Sequence, residues 1–229
     1  MLIPAFFAYA DDNLPDADIY LLPSISNMSV MPKRNYQMLK ELIFAGKTLY
    51  VSYNDAVLSE FEALSGVRVD DRSEHRVVGY VTSEKGDKIA YSRSTNLSLT
   101  ATSATVLMRE TDGNPFMTLN NYGKGKVYFV NAPIEDMLIE APDAYDTNAH
   151  LVYKQIFDKA VQTSVTVSEG LFCTYHTISD GEIVVILNHT GEEIAPCIEL
   201  RDKFIIDKIY YGSIDKIAPY DACVIKIKN

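Results

Sequence analysis

The sequence predicts an α/β domain built on a mostly parallel sheet, followed by a small all-β antiparallel sandwich. Three observations carry that prediction. Near the start, strand-like and helix-like stretches alternate, as they do when helices cross between parallel strands. From Val165 onward only short strand-like runs at regular spacing remain. Between the two textures, "QTSVTVS" (162–168) reads as a linker, which places the domains at 1–162 and 163–229.

The first strand is "DADIYLLPS" (16–24), with Ile19, Leu21 and Leu22 as core residues and Pro23 as its stop. "MPKRNYQMLKELIFAGK" is the first helix. Pro32 suits its opening turn, where a missing N–H costs nothing. Tyr36, Leu39, Leu42 and Ile43 share one face, and Gly46 can take the positive φ of a helix end. "KTLYVSY" (47–53) is the second strand. Residues 54–66 predict a second helix, capped by Asn54 or Asp55, with Val57, Phe61 and Leu64 inward and Gly66 at its end. Residues 67–120 then alternate strand-like runs with polar turns ("RVVGYVTS", "KIAYSRS", "ATVLMRE"), an antiparallel excursion. An acidic loop over 132–146 and a helix over 146–161 close the domain, with Asp146 or Thr147 as cap and Val152, Ile156 and Ala160 on its inner side. In the second domain, Asp180-Gly181 between "GLFCTYHTI" and "EIVVILNHT" is a hairpin signal. "APCIEL", "FIIDKIYYG" and "DACVIKIKN" supply the remaining strands.

"NNYGKGKVYFVNAPIE" (120–135) has the glycines and lysine of a phosphate-gripping loop. Such a loop follows a strand and opens a helix, whose N-terminus helps hold the phosphates. Here the turn joins two strands, and no Ser or Thr follows the lysine. The glycines therefore predict a hairpin.

Composition removes several classes of function. Of 229 residues, 47% are hydrophobic and 23% charged, an ordinary globular balance. The net charge of −10 divides as −6 over 1–162 and −4 over the rest, so neither part has the basic footprint of a nucleic-acid binder or attracts an anionic membrane. No apolar run is long enough to span a membrane. "MLIPAFFAYADD" lacks the basic start of a secretion signal, which predicts a cytoplasmic protein. Cys173, Cys197 and Cys223 have no zinc-like spacing and predict buried, reduced thiols in strands. Asp11, Asp12, Asp16 and Asp18 lack the glycine and final glutamate of a calcium loop. No metal and no cofactor is predicted. Asn27, Asn96 and Asn188 begin N-x-S/T triplets, which carry little weight without a secretion signal.

Catalytic chemistry has few candidates. In α/β folds a nucleophile sits on a sharp strand-to-helix turn. The matching junction is "YVSYNDAV", with Ser52, Tyr53 and Asn54, but it lacks flanking glycines and cysteine. His75, His150, His176 and His189 form no metal motif and read as surface or packed residues. Carboxylates gather after the strand 128–131, at Glu135, Asp136, Glu140, Asp143 and Asp146. Ligand sites in open α/β sheets lie beyond such strand ends. Asn131, Glu135, Asp136 and Glu140 are therefore the candidate polar or ligand-binding set, and helix-capping acids are the plainer reading of the same residues.

The order of these pieces is familiar. The "D-A-D-x-x-L-x-P" strand, the helix ending "A-G-K-T-L" and the later "S-G-V-x-V" resemble the glutamine-amidotransferase-like domain that follows the catalytic barrel in many glycoside hydrolases. The likeness is greatest to the trimerisation domain of family 42 β-galactosidases. "NNYGKGKVYFVNAPIED" resembles that domain's late hairpin, and "VVILNHT" with "IAPYDACVIKI" looks like the small C-terminal β-sandwich of the same enzymes. The resemblance implies a flavodoxin-like or class I amidotransferase-like fold for the first domain. It implies a degenerate nucleophile elbow at Ser52, Tyr53 and Asn54, since residues 1–172 contain no cysteine. It also implies that the first strand of that fold is missing or short here. The family's catalytic glutamates belong to a barrel of about 250 residues, more than this whole chain.

The expected function is therefore a non-catalytic accessory and oligomerisation region of a glycoside hydrolase. Its expected partners are further copies, three in a trimer, or a glycosidase barrel. Two alternatives stand beside it. One is a carbohydrate-binding module, weakened by the absence of Trp although 15 tyrosines permit stacking. The other is an independent hydrolase using the Glu135/Glu140 region.

Overall fold

A computed structural model describes residues 7–8, 13–26, 31–83, 86–140, 148–157, 163–168, 170–201 and 203–229. The chain divides into two compact units, one over Phe7–Ala160 and one that includes Val161–Asn229. The architecture is mixed α/β, with many strands and few helices.

In the first unit, β1 (Ile19–Ile25), α1 (Lys33–Ala45) and β2 (Thr48–Tyr53) form the expected crossover, with β1 and β2 parallel. Pro32 stands at the start of α1, and Gly46, at φ 134°, ends it with its N–H on the carbonyl of Ile43. Leu39 and Ile43 of α1 bury against Tyr20, Leu49, Val51, Val127 and Phe129 of the sheet. Asn35 and Lys40 are also buried on this helix, and Lys40 pairs with Glu60 at 2.8 Å.

The main sheet is mixed, with two parallel and two antiparallel neighbouring pairs. β7 (Thr105–Arg109), β8 (Pro115–Tyr122) and β9 (Gly125–Val130) run as an antiparallel meander, and the five-stranded order is β1-β2-β9-β8-β7. β1, β2 and β9 pair in parallel, β7 points the same way, and β8 alone runs against them. Thr105–Arg109, expected in the excursion, is thus the edge of the central sheet. The excursion itself consists of β3 (Val67–Ser73) paired with β6 (Asn96–Ala101), and the hairpin of β4 (Val77–Thr82) and β5 (Lys88–Arg93).

The expected helix over 54–66 shrinks to α2 (Phe61–Ser65). Asp55 and Glu60 hold positive φ values of 73° and 55°, incompatible with a continuous helix. Neither Asn54 nor Asp55 caps it. Asp55 instead accepts from Thr95 Oγ1 at 2.6 Å and pairs with Arg72. Gly66 does end α2 in the left-handed region. The acidic "loop" is in part a helix, α3 (Ile134–Glu140). The last helix is α4 (His150–Phe157), with Val152, Ile156 and Phe157 buried. Its expected caps Asp146 and Thr147, and Ala160, lie outside the described residues.

In the second unit, β11 (Leu171–Ile178), β12 (Gly181–Asn188), β15 (Ala222–Lys228) and β14 (Ile205–Tyr211) form one antiparallel sheet in that order. The expected hairpin at Asp180-Gly181 is present, with Gly181 at φ 145°. Val184, Ile186, Cys223, Ile225 and Ile227 form the core with Val165, Leu171 and Cys173. Two expectations fail. The supposed linker contributes β10 (Val165–Thr166), paired with β13 (Glu199–Leu200), because Val165 is fully buried in the core. Cys197 is exposed at φ 36°, outside any strand, whereas Cys173 and Cys223 are buried in β11 and β15.

Asn188, at the end of β12, is buried and organises this end of the sheet. Its Nδ2 donates to the carbonyls of Glu192, Ile217 and Ala218, and its Oδ1 accepts from the N–H and hydroxyl of Thr190. The "LNHT" stretch therefore ends its strand by satisfying the backbone of two neighbouring turns.

Candidate functional site

Ala132 and Ile134 are fully buried where β9 gives way to α3. That anchorage carries Glu135, in the first turn of α3, to the C-terminal ends of β1 and β2. Its carboxylate accepts from Ser24 Oγ at 2.8 Å and from the Tyr50 hydroxyl at 2.7 Å. It also accepts from Ser52 Oγ and from the hydroxyl of Tyr153 on α4, both in close contact. Ser24 is held at φ 45°, and its N–H donates to Ser52 Oγ at 2.6 Å. Next to this cluster, Asn54 Nδ2 donates to the Asp136 carboxylate.

The structure thus joins residues that the sequence placed in two separate groups, Ser52 and Asn54 from the strand end and Glu135 and Asp136 from the acidic segment. Tyr53 is buried, and its hydroxyl makes no geometrically sound hydrogen bond among the described residues. Glu140 closes α3, and its side chain lies outside the described residues. The sequence does not mark Ser24, Tyr50 or Tyr153 as part of this site. Tyr50 reads in sequence as one more core aromatic, and nothing local marks Ser24.

Ser52 is fully buried, and the chain does not turn straight from it into a helix, since α2 begins only at Phe61. Its hydroxyl is committed to Glu135. No histidine hydrogen-bonds this carboxylate among the described residues. His75 contacts Ser73, His176 contacts Thr174, and His189 stands edge-on to Phe172. No group of His, Cys, Asp or Glu is placed to hold a metal among them. The arrangement fastens α3 and α4 to the sheet.

Asn131 belongs to a second polar cluster. Arg93 on β5 meets Glu110 in a two-pronged ion pair, Nη1 to Oε1 at 2.6 Å and Nη2 to Oε2 at 2.8 Å, with both side chains almost fully buried. Arg93 Nη1 also donates to the Asn131 carbonyl at 2.7 Å, and Nη2 donates to Asn96 Oδ1. The Tyr91 hydroxyl donates to Glu110 Oε2 at 2.9 Å. Asn131 is buried, with Nδ2 facing the Leu97 carbonyl. This cluster ties the β4–β5 hairpin to the end of the main sheet. Asn96 and Asn188, which begin N-x-S/T triplets, are both engaged internally, and Asn27 lies outside the described residues.

Burial first and then the Glu135 charge push the Tyr50 and Tyr153 hydroxyls well above the ordinary tyrosine range. Burial and Glu110 do the same to Tyr91, and burial raises Tyr36 and Tyr175 to about 12. The unfolded chain releases these protons near pH 10 while the folded chain keeps them. Stability is therefore unaffected below pH 10 and falls as pH rises from there through the folded values. Absorbance at the phenolate band should show the exposed tyrosines ionising first and the buried group only together with unfolding. Smooth ionisation of all 15 at ordinary pH, with the fold intact, would contradict these environments.

Comparison with solved structures adds the fold relationship. Gan42B, a family 42 β-galactosidase from G. stearothermophilus, matches 93% of this chain with 32% of its own, at a TM-score of 0.64 and 17% identity. The β-galactosidase from Bacillus circulans sp. alkalophilus matches 91% of this chain with 31% of its own (TM-score 0.57, 13% identity). The β-galactosidase of the Antarctic haloarchaeon Halorubrum lacusprofundi matches 91% with 31% (TM-score 0.56, 16% identity). This chain is similar in fold to part of a family 42 β-galactosidase. It spans about a third of the length of each, and at such identities the likeness is one of fold. No protein-family model and no curated protein sequence matches the chain. No helix among the described residues is long and apolar enough to cross a membrane.

Proposed function

We propose that this chain is a non-catalytic accessory and oligomerisation region of a β-galactosidase-like glycoside hydrolase. In this reading 1–162 is the amidotransferase-like trimerisation domain and 163–229 the C-terminal β-sandwich. The observation that carries it is the fold likeness, which takes in over nine-tenths of this chain and only a third of each enzyme. The Glu135 site supports it, because its serine is buried and hydrogen-bonded. Phe44, Val78, Tyr80 and Ile139 of the first unit are exposed, as residues that meet another subunit would be.

Light scattering over a wide concentration range tests this reading, alongside an assay with a nitrophenyl galactoside. The expected result is an oligomer of constant mass, three chains in the trimer reading, and no hydrolysis above buffer. A monomer at every concentration removes the assembly role, and turnover that survives Glu135→Gln would locate catalysis elsewhere in the chain.

A further inference from the structure

Among the described residues, the Glu135 carboxylate is held only by neutral groups. Two carboxylate oxygens offer about four acceptor positions, and the hydroxyls of Ser24, Tyr50, Ser52 and Tyr153 supply four donors. None of the ion pairs among the described residues involves Glu135. The donors come from β1, β2 and α4, whereas the carboxylate comes from α3. Tyr50 and Ser52 are fully buried on β2, and the Ser24 N–H donates to Ser52 Oγ. Most of the cradle is thus set by the sheet. Its contents are one side chain on a seven-residue helix.

We propose that the hydroxyls of Ser24, Tyr50, Ser52 and Tyr153 form a carboxylate-binding site whose resident ligand is the Glu135 side chain, and that the site accepts a free small carboxylate once that side chain is removed. Four donors converging on two oxygens suit a planar carboxylate better than a spherical or tetrahedral anion. A cradle without cations binds a free anion weakly. The same cradle is filled in the intact chain because the tether presents Glu135 at a high effective concentration. The site therefore acts as a latch, in which α3 closes over Ser52 by inserting its own acid. This inference is independent of the accessory-region reading.

The test is thermal unfolding of the full chain carrying Glu135→Ala, in sodium acetate or formate against sodium chloride and sulfate at equal ionic strength. Relative to the parent, the variant should lose about 10 °C in Tm, since four hydroxyls lose their acceptor. Acetate or formate should restore much of that loss in a saturable way, with half-effect on the order of 10 mM, while in the parent they give no saturable gain and each salt acts only through its general effect on burial. Adding Tyr50→Phe to the variant should weaken the acetate effect about tenfold, by removing one hydrogen bond to a charged group. Equal responses to acetate and chloride in the variant would overturn the proposal, as would an acetate effect of the same size in the parent. If Glu135→Ala does not fold in chloride, it is refolded from urea into each salt and followed by near-ultraviolet circular dichroism. Recovery in acetate or formate alone supports the site, and failure in every salt overturns it. The oligomer mass reads the accessory role separately, so the two ideas can fail independently.

Discussion

Replacing Arg93 by methionine should destabilise the protein by about 3–5 kcal/mol, read as a lower urea midpoint by far-ultraviolet circular dichroism. The reason is the charge left behind. Glu110 is 6% exposed and Arg93 3%. Without the guanidinium, the Glu110 carboxylate keeps, among the described residues, only the Tyr91 hydroxyl and long contacts from Asn114 and Asn131 at 3.4 Å. The Asn131 carbonyl and Asn96 Oδ1 also lose their donor. Glu110→Gln should be milder, because the amide keeps an acceptor for Tyr91 and leaves the cation to the Asn131 carbonyl. The double change Arg93→Met with Glu110→Leu should recover much of the loss, since a buried ion pair is worth little more than well-packed apolar groups. If the double variant is no more stable than Arg93→Met alone, the loss comes from packing and not from a stranded charge.

Gly125→Ala should cost about 3 kcal/mol, by overpacking against backbone that cannot move aside. A Cβ at Gly125 would lie 2.0 Å from the Ile43 carbonyl oxygen and 2.2 Å from that of Lys47. The C-terminus of α1 is tied to this hairpin, with Lys124 N–H on the Phe44 carbonyl at 2.9 Å and Lys126 N–H on that of Lys47 at 3.3 Å. Gly113→Ala is the internal control. Gly113 has φ +91° with nothing within 4 Å of a new Cβ, so only backbone strain of about 1–2 kcal/mol applies. Equal losses at the two positions would mean that the contact with α1 is not what requires glycine at 125. The G-K-G stretch thus has two reasons for its glycines. Gly123 takes the positive φ of the turn, at 63°, and Gly125 admits the end of a helix.

That difference marks the limit of what the sequence discloses. Turn chemistry and apolar periodicity are local, so β1, α1, β2, β8, β9 and the Asp180-Gly181 hairpin are all legible. The shortening of the 54–66 helix is not, because Asp55 is drawn out of helical conformation by Thr95 and Arg72, far along the chain. Which sheet a strand joins is equally non-local. Thr105–Arg109 has the same look as its neighbours, and only its pairing with β8 places it in the main sheet. Half of the Glu135 site is visible as residue types beyond strand ends, at Ser52, Asn54, Glu135 and Asp136. Its remaining donors were not, since a buried tyrosine hydroxyl looks like any apolar ring until its partner is known. Arg93 illustrates the same point, as an alternating strand gives no sign that its charge turns inward to meet Glu110.

The mixed sheet also orders the events of folding. β7, β8 and β9 follow one another through short turns, so their contacts close small loops. β2 meets β9 only across the whole of β3 to β8, and β1 joins the sheet through β2. Non-local pairings must repay the entropy of the loop they close before they stabilise anything, and they form slowly. The antiparallel half is therefore the natural nucleus, and the parallel half is laid onto it. Glu135 follows directly on that nucleus, while Ser24, Tyr50 and Ser52 lie on the strands that arrive last. The four hydroxyls close around the carboxylate only when β1 and β2 are in register, so the latch reports completion of the sheet.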